Sequence, residues 1–199
     1  MLSVALTGGM GSGKSEALKA FAQAGAETLS LDAIAHQLSK KGRPLYAAVL
    51  SLFGQEAIDG GRLNRRWLAN CAFSQPVFRK KLEAIAHPLI IKSMHLALKK
   101  CTAAVMVVDV PLLFETGLQN QFDVTVLLQA RNATQVKRVM RRDRTSRANV
   151  LRRLNAQWKL KRKIPLADIV INNQGTLPQL RKAAHDYFRA FQLISLSKL

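Results

Sequence analysis

The chain of 199 residues is long enough for one domain with a sizeable core, with or without an inserted second unit. Hydrophobic residues make up 48% of the chain, which excludes a disordered protein, and no apolar run is long enough to indicate a transmembrane helix. Lys and Arg number 31 against 12 Asp and Glu, so the net charge is +19, and this charge favours nucleic acid or phosphorylated small molecules as partners unless it has no partner at all.

The first predicted element is a short apolar strand over residues 2–6. It runs directly into a glycine-rich loop, so we expect no secretory signal. Cys71 and Cys101 have neither CxxC spacing nor a neighbouring His cluster. We therefore expect two free thiols in a reducing, cytoplasmic compartment. The sequence leaves a monomer and a small homo-oligomer equally open.

Short apolar runs alternate with longer helical patterns along most of the chain. Residues 14–23 carry apolar side chains at helical spacing directly after the first strand. Further strands are predicted at 28–31, 104–110, 124–128 and 168–171. This alternation predicts an α/β fold with a parallel sheet.

Residues 43–100 interrupt the alternation. They contain no convincing strand, and amphipathic helical patterns cover 63–73 and 76–85. We therefore predict a helical insertion over 43–100 within a core formed by residues 1–42 and 101–199.

The glycine-rich loop at residues 8–15, GGMGSGKS, fits the phosphate-binding motif G-x-x-x-x-G-K-[ST] at every fixed position. Glycines let the chain curl so that backbone N–H groups meet phosphate oxygens, and the following helix N-terminus favours the same negative charge. We expect Lys14 to reach the β and γ phosphates and the Ser15 hydroxyl to bind Mg²⁺. The loop therefore predicts ATP or a similar triphosphate together with Mg²⁺, but it does not predict the reaction.

Three acidic residues follow predicted strands. Asp32 lies at the carboxyl end of the second strand, where open α/β sheets bind ligands, and it either accepts a proton from an acceptor hydroxyl or caps a helix. Asp109 is a second candidate for the Mg²⁺ site, or it is an ordinary residue at the end of a strand. Glu115 either faces the site or caps a helix.

Arginines are dense in the stretch that follows the fourth predicted strand. Arg138, Arg141 and Arg142 share one face of a predicted helix, and phosphoryl transfer requires cations around the moving group. We expect a closing lid at about residues 141–163, with a solvated basic helix face as the alternative. Trp158 is the only aromatic residue there, which argues against a site for single-stranded nucleic acid.

Several motifs occur together in this order: ALTGGMGSGKS, LNRRWL, AIAHPLI, DVPLLFETG, QVKRVMRRD and ADIVINNQG. Together they resemble the dephospho-CoA kinases, over nearly the whole chain from about residue 2 to 175. The resemblance implies a three-layer P-loop NTPase fold with a five-stranded parallel sheet, a helical acceptor-binding insertion and a lid. It also implies a phosphotransferase that moves phosphate from ATP to the ribose 3′-hydroxyl of dephospho-CoA.

The resemblance also implies the roles of individual residues. Asp32 matches the catalytic base, and Lys14 and Arg138 match residues beside the moving phosphate. The residues matching the ATP site are Gly9, Met10, Gly11, Ser12, Gly13, Lys14, Ser15, Glu16, Arg142, Asn172, Asn173 and Gly175. Those matching the acceptor site are Thr7, Asp32, Arg65, His87, Pro88, Leu113 and Glu115.

Two positions depart from the family pattern. Ser30 stands where the first of two acids is frequent, and Glu16 stands where Thr is common. Three alternatives remain open: a P-loop kinase for another small acceptor such as a nucleoside, a basic nucleic-acid-binding protein with a vestigial P-loop, and a nucleotide-dependent switch. We expect ATP and dephospho-CoA as substrates, and neither nucleic acid nor a membrane as a partner.

Overall fold

The computed structural model describes residues 1–197, which divide into two compact units. The first unit comprises Met1–Ser30 and the chain from Cys101 onward, and the second comprises Leu31–Lys100. In chain order the strands are β1 (Leu2–Gly8), β2 (Glu27–Ser30), β3 (Ile58–Asp59), β4 (Arg62–Leu63), β5 (Val105–Asp109), β6 (Val124–Gln129) and β7 (Ile169–Asn172). The helices are α1 (Lys14–Ala24), α2 (Leu31–Leu38), α3 (Pro44–Phe53), α4 (Arg65–Ser74), α5 (Pro76–Lys100), α6 (Asn132–Asp143), α7 (Arg147–Asn155), α8 (Leu160–Lys163) and α9 (Leu177–Leu196).

The first unit is built on a five-stranded sheet in the order β2-β5-β1-β6-β7, with every pairing parallel. All residues of the central strand β1 and of β5 are buried, as expected for strands covered on both faces. The predicted three-layer α/β fold with five parallel strands is confirmed. Within residues 1–197, no helix is both long enough and apolar enough to cross a membrane.

The main core of this unit lies where α1 and α9 pack together beside the sheet. Phe21 of α1 stacks on Phe191 of α9 with ring centroids 6.2 Å apart, and both side chains are fully buried. Burying an aromatic ring of this size stabilises a fold by about 1.5–3 kcal/mol. This packing fixes α1, and therefore the loop that leads into it from β1.

The register of the sheet places polar residues next to one another at the carboxyl ends of three neighbouring strands. Asp109 at the end of β5 pairs in register with Ser30 of β2 on one side and with Leu6 of β1 on the other. Thr7 and the glycine-rich loop follow Leu6 directly. The sheet therefore assembles one polar edge in the first unit from distant parts of the sequence.

The second unit contains helices α2–α5 and the short hairpin β3–β4. Phe53, Trp67 and Phe78 form an aromatic cluster, with the two phenylalanine ring centroids 4.1 Å apart. The expectation that residues 43–100 contain no strand was wrong, because the hairpin is there. Its strands have two residues each, too few for an alternating pattern, and Gly60 and Gly61 form the turn with φ of 52° and 74°.

Helix α5 is much longer than the pattern over residues 76–85 predicted, since it continues to Lys100. It passes through Pro88, which lacks the backbone N–H that would bond to the carbonyl of Ala84.

Candidate active site

The phosphate-binding loop joins β1 to α1, and its glycines are required by the backbone. Gly11 and Gly13 have φ of 76° and 102°, in the left-handed region that side chains disfavour. A Cβ atom on Gly11 would lie 2.8 Å from the carbonyl oxygen of Gln135, and one on Gly13 would collide with the Asn173 amide. Both the backbone conformation and the close approach of neighbouring residues therefore demand glycine.

The loop closes on itself, and the N-terminus of α1 carries no side-chain cap. Lys14 Nζ donates to the Gly8 carbonyl at 2.7 Å, and the Ser12 N–H donates to the Gly9 carbonyl at 3.0 Å. The N-cap residue is Gly13, so no side chain occupies the positive end of the 11-residue helix. A helix N-terminus behind curled backbone amides is a favourable place for phosphate.

Three side chains from distant elements hold the outer side of this loop. Asn173 Nδ2 donates to the Ser12 carbonyl at 2.7 Å, and Arg138 Nη1 donates to the same oxygen at 3.4 Å. The Met10 N–H donates to Oε1 of Gln157 at 3.1 Å. Because a peptide unit is planar and trans, holding the Ser12 carbonyl outward turns the N–H of Gly13 the opposite way.

Of these three side chains, the sequence singled out Asn173 and Arg138, and it missed Gln157. Gln157 follows α7 in a stretch with many polar side chains, and no local pattern separates it from them.

Glu16 lies in the first turn of α1, where a negative charge favours the helix. Its Oε1 accepts a hydrogen bond from Lys19 Nζ at 2.9 Å, and both side chains are well exposed. This local pairing accounts for the acid at this position, and a contact between Glu16 and ATP stays a prediction.

Oxygen donors suited to Mg²⁺ lie in the first turn of α1 and at the end of β5, the strand that pairs with β1. The Ser15 side chain is exposed in the first turn of α1, and Asp109 is 8% exposed at the end of β5. Mg²⁺ is usually held by one or two carboxylates together with water and substrate phosphates, so a hydroxyl and a carboxylate fit this ion. Within residues 1–197, no group of three or more His, Cys, Asp or Glu side chains could hold a metal.

Thr7 is the last residue of β1 before the loop, and it is fully buried. Its hydroxyl has no hydrogen-bond partner among the residues that the structure describes. A role of Thr7 toward an acceptor stays a prediction.

The stretch VPLLFE after β5 contributes two predicted acceptor residues. Leu113 is fully buried, and Glu115 is mostly buried. Glu115 Oε1 lies 2.6 Å from Lys163 Nζ and accepts the Trp158 N–H at 3.2 Å. The contacts of Glu115 are thus made with the residues that end the predicted lid segment, and roles of Leu113 and Glu115 toward an acceptor stay predictions.

The predicted lid arginine Arg142 forms a bidentate pair with its neighbour Asp143, at 2.7 and 3.2 Å. Arg153 Nη1 reaches the same carboxylate at 2.9 Å. The hydrogen bond from Arg142, supported by that from Arg153, lowers the pKa of Asp143 to about 2. The Arg142 side chain is 59% exposed, and its pair with Asp143 uses Nε and Nη2.

Residues after β7 surround a separate cavity of about 320 Å³ in the first unit. The predicted adenine-side residues Asn172, Asn173 and Gly175 all line it. The structure therefore brings these three together, and the Asn173 side chain also contacts the phosphate-binding loop through Ser12.

The second unit carries the remaining predicted residues on its helices. Asp32 is exposed in the first turn of α2, and His87 and Pro88 are exposed on α5. Arg65 Nη2 lies 2.6 Å from His36 Nδ1. The same Arg65 nitrogen also donates to Ser39 Oγ at 3.3 Å, so the guanidinium is held beside α2.

His36 was not predicted as a site residue, although it lies four residues after Asp32. That spacing places both residues on the same face of α2, which is the signal that could have found it.

Comparisons with known proteins agree across both units. The family model described as "Dephospho-CoA kinase" matches residues 2–179. The dephospho-CoA kinase of Syntrophotalea carbinolica is 39% identical over 185 residues, which cover 91% of this chain and 88% of that protein. That of Coxiella burnetii is 36% identical, covering 92% and 93%. The crystal structure of TT1252 from Thermus thermophilus is 34% identical and has a TM-score of 0.84, covering 95% of this chain and 97% of that one.

Proposed function

The chain belongs to the dephospho-CoA kinase family, and from that premise we propose that it phosphorylates dephospho-CoA with ATP to give coenzyme A and ADP. It is a transferase acting on an alcohol group. The ribose 3′-oxygen forms a bond to the γ-phosphorus, the bond between that phosphorus and the β–γ bridging oxygen breaks, and the hydroxyl proton leaves. The observation that carries the proposal is a complete phosphate-binding loop in a chain that matches this family through both units.

The donor side of the reaction is proposed for the loop of residues 8–15. Its amides and the N-terminus of α1 receive the triphosphate, and Lys14 moves from the Gly8 carbonyl to the β and γ phosphates. The adenine lies beside Asn172 and Gly175, which line the cavity after β7. The loop amides that stabilise charge on the phosphates are already in place, and only the Lys14 side chain has to move.

Mg²⁺ belongs to the same proposal, with the Ser15 hydroxyl and the Asp109 carboxylate as its protein ligands. The ion would neutralise negative charge on the phosphate oxygens. Support comes from the chemistry of these two oxygen donors, which fits a small hard cation.

Asp32 is proposed as the group that orients the 3′-hydroxyl and accepts its proton. Its carboxylate is exposed in the first turn of α2, directly after the carboxyl end of β2. A general base must be accessible to its substrate and must be ionised when the reaction begins. The exposed position of Asp32 satisfies the first of these conditions.

The helical unit is proposed as the part that binds dephospho-CoA, through Arg65, His87 and Pro88. In the first unit, Thr7, Leu113 and Glu115 are also proposed as acceptor residues. Arg65 supports this role best, because its guanidinium has donors suited to a phosphate and already contacts His36 and Ser39 on an exposed surface.

Arg138 and Arg142 are proposed to surround the moving phosphate from α6. Arg138 already contacts the Ser12 carbonyl, whereas Arg142 is paired with Asp143. We propose that closure of the segment around residues 141–163 brings Arg142 to the phosphate and also excludes water.

One assay tests the function against its alternatives. Protein, ATP and Mg²⁺ are mixed with dephospho-CoA, with a nucleoside or with no acceptor, and the products are identified by mass spectrometry and phosphorus NMR. We expect a 3′-phosphorylated product from dephospho-CoA alone. A phosphorylated nucleoside would identify a different acceptor, and ATP loss that is the same without any acceptor would identify a switch.

A cytoplasmic location is also part of the proposal. Cys71 and Cys101 are both free thiols, which supports a reducing compartment.

A further inference from the structure

The least expected feature of the first unit is a buried ion pair. Lys163 is 2% exposed, and its ammonium lies 2.6 Å from Glu115 Oε1. The other carboxylate oxygen, Oε2, is buried and has no hydrogen-bond partner among the described residues. Apart from this pairing, no described residue accepts a hydrogen bond from Lys163 Nζ, although an ammonium has three donors.

Such a pair is a poor source of stability. Moving each charge out of water costs several kcal/mol, and attraction repays that cost only when the remaining donors and lone pairs are also satisfied. Here they are not. Stability therefore does not explain why this ion pair is buried, and the contacts that the pair makes offer another explanation.

One carboxylate oxygen of Glu115 fixes both ends of the segment 158–163. It accepts the Trp158 N–H at one end and contacts Lys163 Nζ at the other. The residue immediately before this segment is Gln157, whose side chain accepts the Met10 N–H. Gln157 and Lys163 line one cavity of about 190 Å³ together with Gly9 of the phosphate-binding loop.

The peptide between Gly9 and Met10 is thereby held on both sides. Its carbonyl accepts the Ser12 N–H at 3.0 Å, and its N–H donates to Gln157 at 3.1 Å. A planar peptide fixed at both its carbonyl and its N–H cannot rotate without breaking a hydrogen bond. The orientation of this peptide sets the path of the loop that the phosphates must meet.

We propose that Lys163, Glu115 and Gln157 are positioning residues, which fix the Gly9–Met10 peptide and so hold the phosphate-binding loop in its reactive shape. Lys163 and Glu115 anchor the segment, and Gln157 transmits that anchoring to the Met10 N–H. This inference rests on the proposed kinase function for its catalytic consequence. Its structural part, the state of the Met10 amide, can be measured without any acceptor.

The kinetic test uses Lys163→Met and Gln157→Met, which keep side-chain length but remove the charge or the acceptor oxygen. We expect each to lower kcat about 10- to 100-fold, since a small misplacement of reacting groups costs up to about that much. KM for dephospho-CoA should change less than about threefold. Lys161→Met, an exposed lysine two residues away, is the matched control and should retain wild-type kinetics.

The double variant Lys163→Met/Gln157→Met distinguishes a shared route from independent effects. If both residues act through the Met10 amide, the fall in kcat of the double variant should not exceed the fall in the worse single variant. A loss equal to the product of the single losses would overturn the proposal. So would a lowered melting temperature with unchanged kcat, which is the result expected of residues that only stabilise the fold.

Hydrogen exchange at the Met10 amide, measured by NMR, provides a readout that does not depend on the acceptor. Exchange should be slow in the wild-type protein and at least about tenfold faster in both single variants, and unchanged exchange would contradict the proposal. Glu115→Gln serves if Lys163→Met does not fold, because it removes the charge and keeps the oxygen that Trp158 contacts. If exchange is faster in the variants but the wild type does not turn over dephospho-CoA, the proposed function is rejected and the positioning role is kept.

Discussion

The phosphate-binding loop and the helical unit present their candidate side chains in opposite ways. In the loop, the Ser12 carbonyl and the Met10 N–H already have partners within the protein. In the helical unit, Asp32 and His87 are exposed on the surfaces of helices. A preorganised loop spends no binding energy on reorganisation, whereas exposed side chains become ordered only when a substrate reaches them.

This difference leads to an expectation about kinetics. Changes in the loop should act mainly on kcat, because they disturb groups that stabilise the moving phosphate. Changes in the exposed acceptor residues should act mainly on KM for the acceptor, except at the proposed base. The following predictions test this division, beginning with the largest effect.

Lys14→Ala should have the largest effect, because it removes a positive charge from the β and γ phosphates in the transition state. We expect kcat to fall roughly 10³-fold, as when a single stabilising group is lost from other active sites. Steady-state kinetics with ATP and dephospho-CoA measure it. Lys19→Ala on the same helix is the control, since Lys19 is exposed and its ammonium pairs with Glu16. Wild-type kinetics in Lys14→Ala would refute the loop assignment.

Asp32→Asn should follow, because the amide keeps the shape of the side chain but accepts a proton poorly. We expect kcat to fall about 10²-fold, with the dissociation constant for ATP unchanged. Rapid-quench kinetics and calorimetric ATP titration measure the two quantities. The control is Asp59→Asn in the exposed hairpin of the same unit, and full activity in Asp32→Asn would remove Asp32 from the role of base.

Arg65→Met should show most clearly that changes in the helical unit act on KM rather than on kcat. Losing one charge-assisted hydrogen bond to the acceptor costs about 1.5–3 kcal/mol, so KM for dephospho-CoA should rise at least about tenfold. We expect kcat to stay within about twofold of wild type. The neighbouring exposed residue provides the control variant Arg66→Met, and a fall in kcat without a change in KM would contradict the division.

The smallest effect concerns stability at Asp143, whose pKa is lowered to about 2 mainly by the hydrogen bond from Arg142. A lowered pKa in the folded state means that the carboxylate stabilises the fold above its unfolded pKa, near 4, and that this contribution is lost as the pH falls through about 2. Asp143→Asn should therefore cost less than about 1 kcal/mol near pH 7, as for exposed pairs, and nothing below pH 2. Chemical denaturation at several pH values measures this difference in stability. A cost that grew toward low pH would contradict a lowered pKa of Asp143 in the folded state.

Much of the fold could be predicted because its signals are local. The five strands of the sheet are buried or flanked by clear breaks, so their apolar runs stand out in the sequence, and the structure confirms them. The hairpin β3–β4 was missed because two-residue strands carry no periodicity. The full length of α5 was missed because its apolar residues do not follow one face over 25 residues and Pro88 interrupts the pattern.

The candidate site also has one part that could be predicted from the sequence and one part that could not. The phosphate-binding loop is a contiguous motif, so its residues and their chemistry were predicted together. Gln157 and Lys163 were missed because their roles depend on contacts with residues far along the chain: Gln157 contacts Met10 across 147 positions. In sequence, Lys163 is one of several basic residues in its segment, and only its burial beside Glu115 separates it from them.

By itself, the sequence determined the family, the α/β class and the presence of a phosphate-binding loop, because each is written in residues that are close together or in a fixed order. Only the tertiary structure decided which polar side chains hold that loop. The carboxyl ends of parallel strands bring Asp109 beside β1, and chain packing brings Asn173 to Ser12 and Gln157 to Met10 of the loop. Such contacts depend on where the folded backbone returns in space, which short-range spacing does not encode.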